Sequence, residues 1–266
     1  HFDALDLRQR DLLPLRAGMR RAEPAAALRV FGTDGAVVGI RDVRPEWWGA
    51  LANGTADNIV ALRAAHTCVQ ASQASRGGRQ TIRLSGGVYG VSDGWLVEPT
   101  TNVNIHVTGT GTIFGGTRII DLASYASTTK PVFQIGGQAG IESISDWSIS
   151  GLAVIKGAGS ATIGIQIGSD DPTKKLIGQT WQKVEDVAVE GFAFGVRIIH
   201  ARQILFSRLA VWPNSIVAAT VSLQITTNGW FTGDLVFDDT CQFVNNSATF
   251  PSTKCVEIRC TSGDYN

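Results

Sequence analysis

KVEDVAVEG at 183–191 lies in phase with LFSRLAVWP at 205–213, and this pairing decides the fold. At an offset of 22 residues Val187 falls over Leu209 and Val189 over Val211. The phase continues into FGVRII over IVAATV. A further shift of 26 lays LFSRLAVWP on FTGDLVFDD, with Leu235 and Phe237 in the inward places. Upstream, DWSISGL (146–152) matches DVAVEGF (186–192) at an offset of 40, and the hydrophilic SDDPTKKLIGQTWQ (169–182) reads as a loop inserted into one coil. Periods in the low twenties with variable insertions are what stacked coils of short strands produce. A sandwich would not keep this register.

Outward from this stretch the pattern changes only near the N-terminus. From residue 100 onward, short runs of Val, Ile and Phe are broken by Gly, Asn, Asp and Ser, and no helical period remains. Before that, Thr55 or Asp57 can N-cap a helix over about 57–75, with Ile59, Leu62, Ala65 and Val69 on one face and Gly77-Gly78 as its stop. Strands follow at Thr81–Leu84 and Val88–Val91. Residues 1–44 read as a separate neck or adaptor: a Leu/Arg-rich stretch broken by Pro14, then two apolar runs around Gly32-Thr33-Asp34-Gly35, a hairpin signal. The solenoid itself spans 45–266. A chain beginning at His1 and stopping just after a strand-like run reads as a piece of something longer.

Composition removes several classes. The 266 residues carry 23 Lys+Arg against 23 Asp+Glu, so no single-sign field exists to draw nucleic acid or an anionic membrane. No apolar run is long enough to cross a bilayer, and no basic segment followed by an apolar one opens the chain. Cys68, Cys241, Cys255 and Cys260 form no C-x-x-C pair, and only His66 lies near one of them. Neither a metal nor an organic cofactor is expected.

The segment PEWWGA-x-x-NGTADN-x-x-A-x-x-A-A, followed by GG-x-x-x-I-x-L-S-G-G-V-Y-G-V, resembles the opening of bacteriophage tailspikes and capsular or O-antigen depolymerases of the pectate-lyase-like superfamily. DVAVEGFAFGVRI resembles a coil repeat of the same family. Here Asn53-Gly54-Thr55-Ala56-Asp57-Asn58 stands where that family has an Asp-Gly-x-x-Asp-Asp turn. The resemblance covers about 45–240. It implies an all-β, right-handed parallel β-helix with a capping helix, arranged as a parallel homotrimer. It also implies a virion-tail location with attachment to other tail proteins through the N-terminus, and a bacterial surface polysaccharide as partner. The implied activity is depolymerisation, with glycoside hydrolysis ahead of lyase chemistry. A secreted bacterial enzyme, a non-catalytic adhesin and a structural stalk are the alternatives, and no family active-site motif is present.

Alternation gives the candidate site residues. With Val187 and Val189 inward, Asp186, Ala188 and Glu190 face out; the offsets of 22 and 26 then set Arg208, Ala210, Trp212 and Asp234, Val236, Asp238 beside them. Glu190 and Asp238, two coils apart, would have backbones about 9.6 Å apart. Carboxylates separated by about 6.5–9.5 Å suit inverting hydrolysis, one as acid and one as base. Trp212 between them would carry a sugar ring. Arg208, Asp186, Asp234 and, on the inserted loop, Trp181 complete the expected binding residues. Asp186–Arg208–Asp234 also reads as a surface charge ladder of small energetic value, the commoner role of carboxylates on a solenoid exterior. Trp147 and Trp230 are further platforms or core fillers. Serine esterase chemistry lacks a G-x-S-x-G elbow, and calcium at Asp234, Asp238 and Asp239 is the weaker alternative.

Overall fold

The computed structural model describes residues 42–73, 78–99, 103–112, 116–137, 142–144, 146–171, 173–212, 221–227, 232–244 and 254–260. The proposed hairpin at 32–35 and Trp230 lie outside them. The described residues form parallel β-strands and one α-helix, with a twelve-stranded and a six-stranded sheet that share one apolar core.

The chain alternates between the two sheets. The larger one runs Asp42–Val43, Gly78–Arg83, Val103–Thr108, Trp147–Ile155, Lys175–Glu190, Ala201–Trp212, Gly233–Phe237. Gly87–Val91 and Thr117–Asp121 pair onto the second half of this sheet, through Leu152–Ile155. The smaller sheet runs Trp95–Val97, Pro131–Ile135, Ile163–Gly168, Phe194–Ile199, Val221–Thr227, Lys254–Cys260. Every pairing is parallel, so each strand presents like residues beside like.

Inward positions therefore stack into columns. Val43, Ile82, Val107, Ile149, Val184, Phe206 and Phe237 lie side by side across the larger sheet. Ile82, Val107, Ile149 and Phe206 are fully buried. Each such side chain contributes roughly 1.5–3 kcal/mol through removal from water. Phe206 and Phe237 stack with ring centroids 4.4 Å apart. Where the sheets approach closely, only glycine fits: a Cβ on Gly164 would lie 2.6 Å from a Val189 methyl.

The helix spans Ile59–Gln73, within the expected bounds. Its face of Ile59, Leu62, Ala65 and Val69 is buried against the first strands of both sheets. Asp57 Oδ1 accepts the Ile59 N–H at 3.2 Å, while Thr55 belongs to the strand Asn53–Asp57. Gly78 opens the next strand rather than ending the helix.

The register confirms one offset and corrects two. Val187 pairs with Leu209 and Val189 with Val211, at 22 residues. Leu152, however, pairs with Val187, an offset of 35 instead of 40. Ile204 pairs with Leu235 and Phe206 with Phe237, an offset of 31 instead of 26. The expected loop at 169–182 is strand from Lys175 onward. Asp42–Val43 already pair with Thr81 and Ile82, so the sheet starts inside the segment assigned to the neck.

Candidate functional site

The outer face of the larger sheet carries two polar columns. Thr81, His106, Ser148 and Lys183 form one; Arg83, Thr108, Ser150, Glu185 and Ser207 form the next. Asp238 follows Phe237 and extends the second column beside Ser207, its N–H donating to Phe206 O at 3.0 Å. Neighbours along these columns bond laterally: His106 Nδ1 with Ser148 Oγ at 2.6 Å, and Ser150 Oγ to Thr108 Oγ1 at 3.2 Å.

Both columns end at a bend. Gly151, Asp186 and Arg208 stand there in adjacent strands with φ of 64°, 54° and 48°. Gly and Asp tolerate the left-handed region; a long side chain such as Arg208 pays about 1–2 kcal/mol to occupy it. Arg208 reaches back to Glu185, Nη2 to Oε1 at 2.9 Å, and Thr112 Oγ1 donates to Asp186 at 3.4 Å.

Beyond the bend the places that alternate with the core residues are Ala153, Ala188 and Ala210, of which Ala153 and Ala188 are buried and Ala210 is half-buried. The next outward column is Ile120, Ile155, Glu190 and Trp212. Glu190 and Trp212 are direct neighbours, both exposed, Trp212 at 37%. A flat aromatic ring thus stands next to a carboxylate, with the half-buried Ala210 between it and Arg208 at the bend.

The structure brings together some of the expected site residues and separates others. Glu190 and Trp212 are adjacent, as the 22-residue offset requires. Glu190 and Asp238 are not in one column: Glu190 aligns with Trp212, whereas Asp238 lies beside Ser207 and aligns with Glu185. The expected ladder Asp186–Arg208–Asp234 is replaced by two separate pairs, Arg208 with Glu185 and Arg202 with Asp234 at 3.0 Å. Trp181 is half exposed on the strand Lys175–Glu190. Trp147 is a core residue, 2% exposed, and offers no platform.

Asp238 has its own local frame. Thr240 donates both its N–H, at 3.1 Å, and its hydroxyl, at 2.5 Å, to Asp238 Oδ1. These bonds, the Thr240 hydroxyl foremost, hold the Asp238 carboxyl down at about 2. It is ionised throughout the physiological range and cannot act as a general acid. Among the described residues no group of three or more His, Cys, Asp and Glu is placed to hold a metal ion.

Sequence reasoning passed over Glu185 and the His106–Ser148 contact. The first was within reach, because the 22-residue offset already sets Glu185 over Ser207. The second needed the offset between 106 and 148, which no repeat in the sequence advertises.

No family model matches the sequence, and no curated protein matches it. Among solved structures, ORF18 of Geobacillus virus E2 is similar at 15% identity and TM-score 0.48, over 83% of this chain and 48% of that one. This chain therefore spans about half the length of that protein. A Parabacteroides merdae ATCC 43184 protein provisionally assigned as a glycosyl hydrolase is similar at 12% identity and TM-score 0.31, over 84% of this chain and 96% of that one.

Proposed function

We propose that the chain is a right-handed parallel β-helix of a phage tail spike and that the outer face of its larger sheet binds a bacterial surface polysaccharide. The observation that carries the reading is the exposed Trp212 beside Glu190, on the same strands as the charged bend of Asp186, Arg208 and Glu185. An aromatic ring receives the C–H face of a sugar, and charged side chains at fixed spacing receive its hydroxyls. The strand repeat of about 4.8 Å gives that face an elongated, regular form suited to a polymer. The tail-spike assignment, with homotrimeric assembly, rests on the resemblance of residues 45–240.

A second reading, hydrolysis, is favoured by one relationship. Glu185 and Asp238 flank Ser207, which places their backbones about 9.6 Å apart. The side chains can close that gap to the span of an inverting pair, about 6.5–9.5 Å. Asp238, held ionised, is the water-activating member. Glu185 would be the acid. Glu190 is then a ring-binding residue in this proposal.

The experiment is incubation of the protein with purified capsule and O-antigen preparations, following reducing ends and absorbance near 235 nm. Hydrolysis gives reducing ends without the absorbance, and Glu185→Gln and Asp238→Asn each slow it at least about a hundredfold. A rise at 235 nm identifies a lyase. Binding with neither signal identifies an adhesin.

A further inference from the structure

The smaller sheet has a polar ladder on its outer face. Gln134, Gln166, Arg197, Gln224 and Glu257 stand side by side in five consecutive strands. Parts of it are satisfied internally: Gln134 Nε2 donates to Gly168 O at 2.7 Å, Gln224 Nε2 to Glu257 at 2.9 Å, and Arg197 pairs with Asp170 at 2.8 Å. Two atoms are left over. Gln166, 2% exposed, has an Oε1 with no partner among the described residues, and so does the buried Nε of Arg197. Buried polar atoms are rarely left unbonded, because each costs about 1–3 kcal/mol.

Beside this ladder lies a cleft of about 370 Å³. Ile163 and Phe194 give it an apolar side; Asp170, Arg197, Gln224 and Arg259 give it polar ones. That volume falls at the small end of ligand clefts, about 300–1,000 Å³. It admits a sugar ring and part of the next.

We propose that this cleft is a second saccharide-binding site, on the opposite sheet from the Trp212 face. Arg197 and Gln224 belong both to the ladder and to the lining of the cleft, and present it with a guanidinium and an amide. Phe194 and Ile163 supply the surface that the ring's C–H groups need. Asp170, Gln224 and the two guanidinium groups supply fixed hydrogen-bonding partners around it. The proposal rests on the reading of the chain as a saccharide-binding protein and adds a separate site to it.

The test is calorimetric titration of the whole protein with maltohexaose and hexagalacturonate, as neutral and acidic probes, and with sulfate as an ion control. Working in the Trp212→Ala background removes the first face. One saturable saccharide site should remain there. Gln224→Ala should weaken it at least tenfold, and Thr129→Trp, placed on the exposed rim, should abolish it with the melting curve unchanged. If Trp212→Ala loses all binding that the unsubstituted protein shows, the cleft proposal fails and the first face stands. Sulfate binding alone, or saccharide binding indifferent to both rim and ladder variants, also overturns it. If neither probe binds either protein, the cleft proposal fails, and the Trp212 face stands or falls on the capsule and O-antigen preparations alone.

Discussion

Asp186 and Arg208 occupy the same corner of adjacent strands, both in the left-handed backbone region, at φ 54° and 48°. The corner separates the polar columns on one side from the Glu190–Trp212 pair on the other. Its occupants are replaceable according to their tolerance of positive φ. Arg208→Asn should unfold within about 0.5 kcal/mol of the parent, since Asn accepts this conformation and an exposed ion pair is worth little. Arg208→Val, β-branched at positive φ, should lose roughly 1–3 kcal/mol. Urea denaturation of the two variants gives the comparison.

The same corner explains which parts of the fold were legible in the sequence. Inward residues precede it at Trp147 and Ile149 and follow it at Leu152 and Val154, because the corner residue Gly151 resets the alternation. A strand shifted by five residues therefore keeps its hydrophobic phase. Alternation alone could not separate an offset of 35 from 40, or 31 from 26. Matching Gly151 to Gly191 was attractive because both are glycines; the true partner of Gly151 is Asp186, a different residue type in the same backbone region. The parallel stacking of the strands and the Glu190–Trp212 adjacency survive such an error, since they rest on one correct offset. The Glu190–Asp238 pairing does not, because it used the shifted one.

Lys156 closes an ion pair onto Asp121, which is fully buried and also accepts the backbone N–H groups of Gly157 and Ala161. The loop after Ile155 is pinned by this carboxylate. Lys156→Met leaves an uncompensated buried charge and should cost about 3–5 kcal/mol. Loss of less than 1 kcal/mol in chemical denaturation would show that water compensates the charge.

His66 should make stability depend on pH in a defined window. Burial lowers it from 6.5 to about 4, and its Nε2 accepts the Glu98 N–H at 3.1 Å, a role only the neutral ring can fill. The unfolded chain takes up this proton below 6.5 and the folded one only near 4. The contribution is therefore complete above pH 6.5 and is lost as pH falls toward 4, about 3 kcal/mol in all. Asp93, Asp238 and Glu257, each held near 2, lose their contributions lower, as pH falls from about 4. Unfolding free energies measured from pH 4 to 7 should slope upward for the parent and flatten in His66→Gln.

Gly168 ends its strand at φ 90°, and a Cβ there would lie 1.6 Å from Ile199 O. Neither the conformation nor the space admits a side chain. Gly168→Ala should destabilise by more than about 2 kcal/mol and lower the melting temperature by several degrees. Gly111, with nothing within 4 Å of its Cβ position, should tolerate alanine better despite its φ of 127°.

The central claim is that the Trp212 face holds a polysaccharide. Its most direct measurement is the dissociation constant for a bound surface-polysaccharide fragment, compared between the parent and Trp212→Ala. Loss of the ring should weaken binding by about 1–3 kcal/mol, some five- to a hundred-and-fifty-fold, with the circular dichroism spectrum unchanged. Equal affinity of the two proteins for every fragment that binds the parent would contradict the account.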